Sequence, residues 1–487
     1  MKRIKFILAI LIILTSVGCE DQFDLKPFSI ITTQNMWNTE NEAVSGVTGM
    51  FSQFRSTFNG TSYLVWYEFR SGFWQVGKSG ADQWDDLFLN TPNASSTPNL
   101  DWTNIYKTIN AANLAIKYIP DIEFGDPDEQ GDLLADAYFV RAFCYFTLAR
   151  LWGDVPLLVT PVESLDADNL YPVREDVATV FGQIKTDLDE ALNQMNDEGA
   201  RNRIYASAAG INMLKADVYL WTAKRMGGGN ADLNIALTAA DAALANANYQ
   251  LLPDYEDVFR NEMNNELIFS IYFDVVEGPD QFGERFTFQA NQVEKDYRDN
   301  PVPIGESSNW HSLTDSYIND YLINIDTSDT RFGVISQIFN SASTEYRWVN
   351  KYLGDIISDT RVARTDTRVY RLAEAILFRA EALNALGSTA EALIEVNKIA
   401  ERAYGVADYY PNTLTQEELD AVILHERLIE FGAEGKSWFD FIRFGKAFEL
   451  IPSLVGREND YEGNILLLPV NPATITKNPN ITQTPGY

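Results

Sequence analysis

Residues 131–152 read GDLLADAYFVRAFCYFTLARLW. Tyr138, Ala142, Phe146 and Ala149 fall at i, i+4, i+8 and i+11, with Leu134 one turn earlier, so the spacing predicts a helix with one apolar face. Gly153 suits the position just past a helix end, and Pro156 prevents the helix from resuming. Outward from this segment the same period recurs. Further helices are predicted over 176–196, 206–224, 232–247, 367–386 and 388–404, the last two split by Gly387 and Ser388. Small residues recur where such helices cross, at Ala380, Ala382, Ala385, Ala390 and Ala392. Paired helices with alanine at close crossings read as tetratricopeptide-like repeats, here degenerate and interrupted. The fold class is therefore mainly α: a discontinuous tetratricopeptide-like helical repeat scaffold.

Two stretches break the pattern. Residues 60–100 are rich in Gly, Asn, Ser and aromatics, and residues 270–350 carry short alternating runs such as LIFSIYF and FTFQA. They read as an inserted loop-rich lobe containing short strands, and loops on a rigid frame commonly carry binding residues. Sugar rings have apolar C–H faces that stack on flat aromatics, while their hydroxyls need amide and carboxylate partners. Trp74, Asp82 and Trp84 in 68–90, and Tyr297 and Trp310 in 297–317, are the candidate ligand-binding residues. Trp102, Trp152, Trp221 and Trp438 fall within predicted helices and are assigned to the core.

The N-terminus predicts location. Lys2, Arg3 and Lys5 precede an apolar run from Phe6 to Leu14, then come Ser16, Val17, Gly18 and Cys19. This pattern is that of an export signal over 1–18, with Cys19 as the lipid attachment site. Residues 19–487 then read as a single domain, with no later stretch long and apolar enough for a membrane helix. Cys144 is the only other cysteine, so no intrachain disulfide is expected. The formal net charge of -31 argues against nucleic acid, whose binding depends on neutralising phosphates. It also favours a neutral ligand, unless a local basic patch overrides the global field.

Catalytic and metal motifs are weak. His425-Glu426 begins like a zinc-protease helix, but Ile429 stands where the second histidine belongs. No Gly-x-Ser-x-Gly elbow or phosphate-binding loop occurs, and Gly227, Gly228 and Gly229 follow a helix, as at a helix terminus. Asp126, Asp128 and Asp132, or Asp460 and Glu462, could hold a structural calcium, but neither group has the full loop spacing. No cofactor is expected. A glycosidase needs two carboxylates across a cleft, an alternative that sequence leaves open. In 425–447, Glu426, Arg427, Glu430, Glu434, Trp438, Asp440 and Arg443 place both signs of charge at helical spacing, and a partly buried ion-pair network is expected.

Several of these segments, in this order, resemble one family. RAFCYFTLARLWGDVPLL at 141–158, YPVREDVATVFGQIKTDLDEAL at 171–192, RLAEAILFRAEALNALG at 371–387, HERLIEFGAEGKSWFDFIRFGKA at 425–447 and the ending LLLPVNPATITKNPNITQTPGY are similar to motifs of the SusD/RagB outer-membrane nutrient-binding lipoproteins of the Bacteroidetes. Thr484 departs from that family's usual Asn. The resemblance implies a non-enzymatic, surface-exposed lipoprotein of the outer membrane. Such a protein captures a glycan and delivers it to a SusC-like TonB-dependent transporter. A RagB-like peptide binder and a surface glycoside hydrolase are the alternatives.

Overall fold

A computed structural model describes residues 36–78, 80, 82–164, 170–196, 202–273, 282–323, 326, 328–362 and 364–487. The export-signal segment and Cys19 lie outside these residues. The long helices are α1 (Glu40–Thr57), α2 (Gly60–Tyr67), α3 (Thr103–Tyr118), α4 (Pro127–Trp152), α5 (Val177–Gln194), α6 (Ala208–Arg225), α7 (Gly229–Leu244), α8 (Leu372–Ala385), α9 (Thr389–Tyr404), α10 (Gln416–Glu430) and α11 (Ser437–Arg443). They pack in series: α1 on α3, α3 on α4, α4 on α5, then α6 on α7, α7 on α8, and α8 on α9 and α10. This is the mainly helical, repeat-like scaffold expected from the spacing.

α4 is the axis of the first half. Asp126 caps its N-terminus by accepting from the Asp128 N–H, and Pro127 occupies a position where no N–H is needed. The apolar face predicted for it understates its burial, because polar side chains on its other sides are buried too. Each of these has a partner. Arg141 grips Asp187 through two bonds of 2.8 and 2.6 Å. The Thr147 hydroxyl meets the Tyr67 hydroxyl at 2.6 Å. Asp136 accepts from the Ala206 N–H at 2.9 Å. Gly153 ends the helix at φ 71°, a conformation costly for any residue with a Cβ. The C-terminal tail seals that end, with the Leu468 N–H on the Leu151 carbonyl and the Trp152 indole N–H on the Pro469 carbonyl.

Among the described residues the strands form four two-stranded antiparallel sheets: β1 (Trp74–Val76) with β3 (His311–Leu313), β2 (Leu267–Ile271) with β8 (Thr367–Arg371), β4 (Ser336–Asn340) with β5 (Glu345–Val349), and β6 (Asp355–Ile357) with β7 (Thr360–Val362). Two boundaries differ from those read from sequence. Residues 367–371, predicted as helix, form the buried strand β8, because pairing with β2 satisfies their backbone before the helix begins at Leu372. Residues 60–67, assigned to the loop-rich region, form α2, whose Tyr63, Leu64 and Trp66 are core residues. Trp152, Trp221 and Trp438 are buried in helices, and Trp102 is buried at the N-cap of α3.

The charged segment at 425–447 forms buried networks. Arg371 binds Glu266, Glu430 and Glu434, Arg331 binds Glu426 and Asp329, and Lys351 binds Glu434. A second group joins Arg427 to Glu374 and Asp440, and Arg443 to Asp440 and Glu381. Burial alone would raise the Glu381 carboxyl, but Arg443 and Lys224 hold it at about 2, from an ordinary 4.5. A lowered carboxylate pKa adds stability above pH 4.5 that is lost as pH falls through 2. Glu68 and Asp366 shift the other way: burial pushes both up to about 7. Their ordinary values are 4.5 and 3.8, so the folded state favours their protonated form and loses stability as pH rises through 7. The thermal midpoint should therefore peak at roughly pH 5 and fall on both sides. A midpoint that is flat, or highest above about pH 8, contradicts this assignment.

Candidate functional site

The β1–β3 pairing draws the two loop-rich stretches together, with Trp74 opposite Leu313, Gln75 opposite Ser312 and Val76 opposite His311. After β1 the chain turns tightly. The Gly77 N–H binds the Trp310 carbonyl at 2.8 Å, the Lys78 N–H binds Asn309 Oδ1 at 2.9 Å, and the Gly80 N–H reaches the Gly77 carbonyl at 3.3 Å. Both glycines are required by this approach. A Cβ on Gly77 would lie 2.6 Å from the Asn309 carbonyl, and one on Gly80 would lie 2.3 Å from the Trp310 carbonyl. Asn309 is buried and tied from its amide to the Phe286 carbonyl at 2.9 Å, so it is a fixed post for the turn.

β5 supplies the facing wall. Arg347 donates to the Leu313 carbonyl at 3.1 Å and pairs with Asp315 at 2.6 Å and Glu345 at 2.8 Å. Between the walls lies a cleft of about 380 Å³. Gln75, Lys78, Asn309, Ser312, Asp315, Glu345 and Arg347 line it, with Val76 and Phe288 as apolar surface. The volume suits a ligand of one to a few rings, and the lining offers amide, hydroxyl, carboxylate and cationic partners together. A second groove, of about 510 Å³, runs along α3 past Trp102, Tyr106, Pro156, Leu158 and Ile481. Its walls are mostly apolar and suit hydroxyl-rich ligands less well.

The candidate aromatics occupy different depths. Trp74 is buried beneath the cleft, stacked on Phe286 at 5.5 Å, with its indole N–H on Glu68 at 3.3 Å. Trp84 is 4% exposed and packs edge-on against His311 at 4.9 Å. Neither turns a ring face to solvent, so both are core aromatics that support the cleft from below. His311 sits among Phe69, Trp84 and Phe88, and burial pushes its imidazole down to about 3, so it is neutral at physiological pH. Trp310 is half-buried, with the Arg285 guanidinium 4.6 Å over its ring. Tyr297 is half-buried against Phe339 at 4.8 Å, in a small cluster with Phe288, Tyr346 and Trp348. Asp82 opens the turn Asp82–Trp84, and its side chain lies outside the described residues. Gln75 and Asn309 stand in the segments picked from sequence. Arg347 and Glu345 do not; the alternating run EYRWV at 345–349 was their signal.

Three of the residues considered for calcium have other partners: Asp126 caps α4, Asp132 accepts from the Asn196 N–H and Asp460 pairs with Arg457. Among the described residues no group of three or more His, Cys, Asp or Glu side chains could hold a metal ion. His425 stacks on Tyr321 at 5.8 Å.

The frame is thus a helical repeat scaffold carrying a polar cleft in a loop-rich lobe, and comparison with known proteins shows what it resembles. The SusD family profile matches residues 287–487, and a second profile, described as starch-binding and associating with the outer membrane, matches residues 60–211. A SusD-like protein of Formosa agariphila is 27% identical over 535 aligned positions spanning both chains entirely. Among solved structures, NanU of B. fragilis superposes with a TM-score of 0.82 at 27% identity, covering 95% of this chain and 100% of that one. A laminarin-binding SusD-like protein shares the fold at a TM-score of 0.77 and 22% identity, covering 93% of this chain and 100% of the other. Over these spans the chain is similar to the SusD/RagB family. No helix among the described residues is long and apolar enough to cross a membrane.

Proposed function

We propose that this protein is a cell-surface glycan-binding lipoprotein that captures an oligo- or polysaccharide and passes it to a SusC-like TonB-dependent transporter. The observation that carries the reading is the cleft between β1, β3 and β5, where hydrogen-bonding side chains of several kinds converge on a rigid frame. The laminarin-binding relative and the starch-binding profile support a glycan as the ligand class. Capture without chemistry is favoured over hydrolysis by the two carboxylates of the cleft. Asp315 and Glu345 both bind the Arg347 guanidinium, at 2.6 and 2.8 Å, so each already has a cationic partner. A glycosidase needs its acid carboxyl free to meet the glycosidic oxygen. Anchoring through Cys19 completes the proposal.

The test is affinity electrophoresis of residues 20–487 through gels containing individual polysaccharides, followed by prolonged incubation with the retained one. Retardation by at least one glycan, with the glycan recovered unchanged in length, is expected. Shortened products would make the protein a hydrolase, and no retardation across a broad panel together with peptide binding would favour the RagB-like alternative. In cells, Cys19→Ala should move the protein from the membrane to the soluble fraction. Retention at wild-type levels in cells lacking the transporter would remove the anchor from the proposal.

A further inference from the structure

Lys78 stands at the edge of the cleft with its own N–H bound to Asn309 Oδ1, just after Gly77, whose N–H is bound to the Trp310 carbonyl. Its ammonium lies 4.3 Å over the Tyr346 ring. No carboxylate pairs with it among the described residues. Such a cation–π contact at an exposed site is weak, and it leaves the ammonium's donors open to a ligand. On the facing wall, Arg347 keeps its Nε buried and without a hydrogen-bond partner. Its two carboxylate partners, Asp315 and Glu345, are 75% and 48% exposed, so water screens them. At the adjoining edge Arg285 covers Trp310 and likewise has no ion pair among the described residues. Two rings beside the cleft, Tyr346 and Trp310, thus carry cations over their faces, in a chain whose net charge is -31.

We infer that Lys78, held by the Gly77–Gly80 turn and opposed by Arg347, selects a glycan that carries an anionic substituent, a carboxylate or a sulfate ester. This rests on the glycan-binding reading above. It replaces the preference for a neutral ligand drawn from net charge, because a site is governed by the charges within a Debye length of it. A fixed ammonium over a dry ring gives a charge-assisted bond to an anionic oxygen that a neutral hydroxyl cannot match.

The test is affinity electrophoresis of residues 20–487 against four probes: polygalacturonate, its methyl-esterified form, a sulfated galactan and its desulfated form. Laminarin serves as a neutral fifth. Retardation by polygalacturonate or by the sulfated galactan, but not by its neutralised counterpart, is expected, and it says which anion is read. Retardation should weaken as salt rises. Lys78→Met should weaken it about tenfold or more, and Lys78→Arg should restore most of it, with unfolding midpoints unchanged. Equal retardation by the charged and neutralised polymers overturns the inference and leaves glycan binding standing. So does binding of laminarin alone. An acidic glycan bound equally well by Lys78→Met overturns the role of Lys78. Retardation by none of the five, and by no glycan in the wider panel, overturns both readings.

Discussion

Glu430→Ala should cost about 3–5 kcal/mol of unfolding free energy, enough to reduce the yield of folded protein. Glu430 lies in the last turn of α10 and is fully buried. Its carboxylate receives Arg371 Nη1 at 2.5 Å, Arg331 Nη1 at 3.4 Å and the Arg402 guanidinium. Its carbonyl receives Arg371 Nη2 at 2.7 Å and the Tyr255 hydroxyl at 2.6 Å. Burial alone would raise its carboxyl pKa, but the three guanidinium groups hold it far below the carboxylate range. Removing the carboxylate leaves those guanidiniums under-compensated where water cannot reach them, and that penalty, more than the small void, sets the cost. Glu430→Gln separates the two terms, since it keeps the volume and removes the charge. Urea titration should show the Gln variant losing most of what the Ala variant loses. A Gln variant within about 1 kcal/mol of wild type would mean that the network does not lock α8, α9 and α10 together.

This network shows what sequence can and cannot convey. Glu426, Glu430 and Glu434 recur every four residues along α10 and just past its end, interleaved with Leu428, Ile429 and Phe431, and charges among such apolar neighbours need partners. That much is visible in the string. Their partners are Arg331, Arg371 and Arg402, on three different elements, and no local spacing specifies them. The central α4 is legible for the same reason that its full burial is not. Its apolar period marks a helix, while the burial of Arg141 and Arg150 depends on Asp187 and Asp217 from α5 and α6. β8 is illegible because its five residues run straight into a helical pattern, and only pairing with β2 makes them a strand. For the cleft, position was legible and depth was not. The two loop-rich stretches do meet, but which of their aromatics face inward follows from strand pairing that residues 68–90 alone do not encode.

Trp84→Ala should therefore behave as a core mutation, lowering stability by about 3–5 kcal/mol. A sugar-stacking tryptophan on an open loop would instead lose affinity and leave the fold intact. The physical reason is the local density of rings. Phe69, Phe88, His311, Trp310 and Trp84 lie with centroids between 4.8 and 6.3 Å of one another in successive pairs, several edge-to-face, and form a small aromatic core beneath the cleft. Five aromatics in the 21 residues from Phe69 to Leu89 are the signal that this segment builds its own core. Removing the indole leaves a void bounded by rings that stand on separate segments and cannot all close over it. His311 would then meet water, and its imidazole would move up from about 3 toward its ordinary 6.5. The acid-side loss of stability controlled by His311 should accordingly shrink in the variant, with the sign fixed by the partial recovery of that pKa. A buried neutral imidazole costs stability as pH falls below 6.5, and hydration of the ring reduces that cost. The deficit of Trp84→Ala relative to wild type should thus be smaller at pH 5 than at pH 8. Denaturant titrations at the two pH values measure it. A variant as stable as wild type that has lost only glycan retention would return Trp84 to the surface of the site, and the aromatic core described here would have to be redrawn.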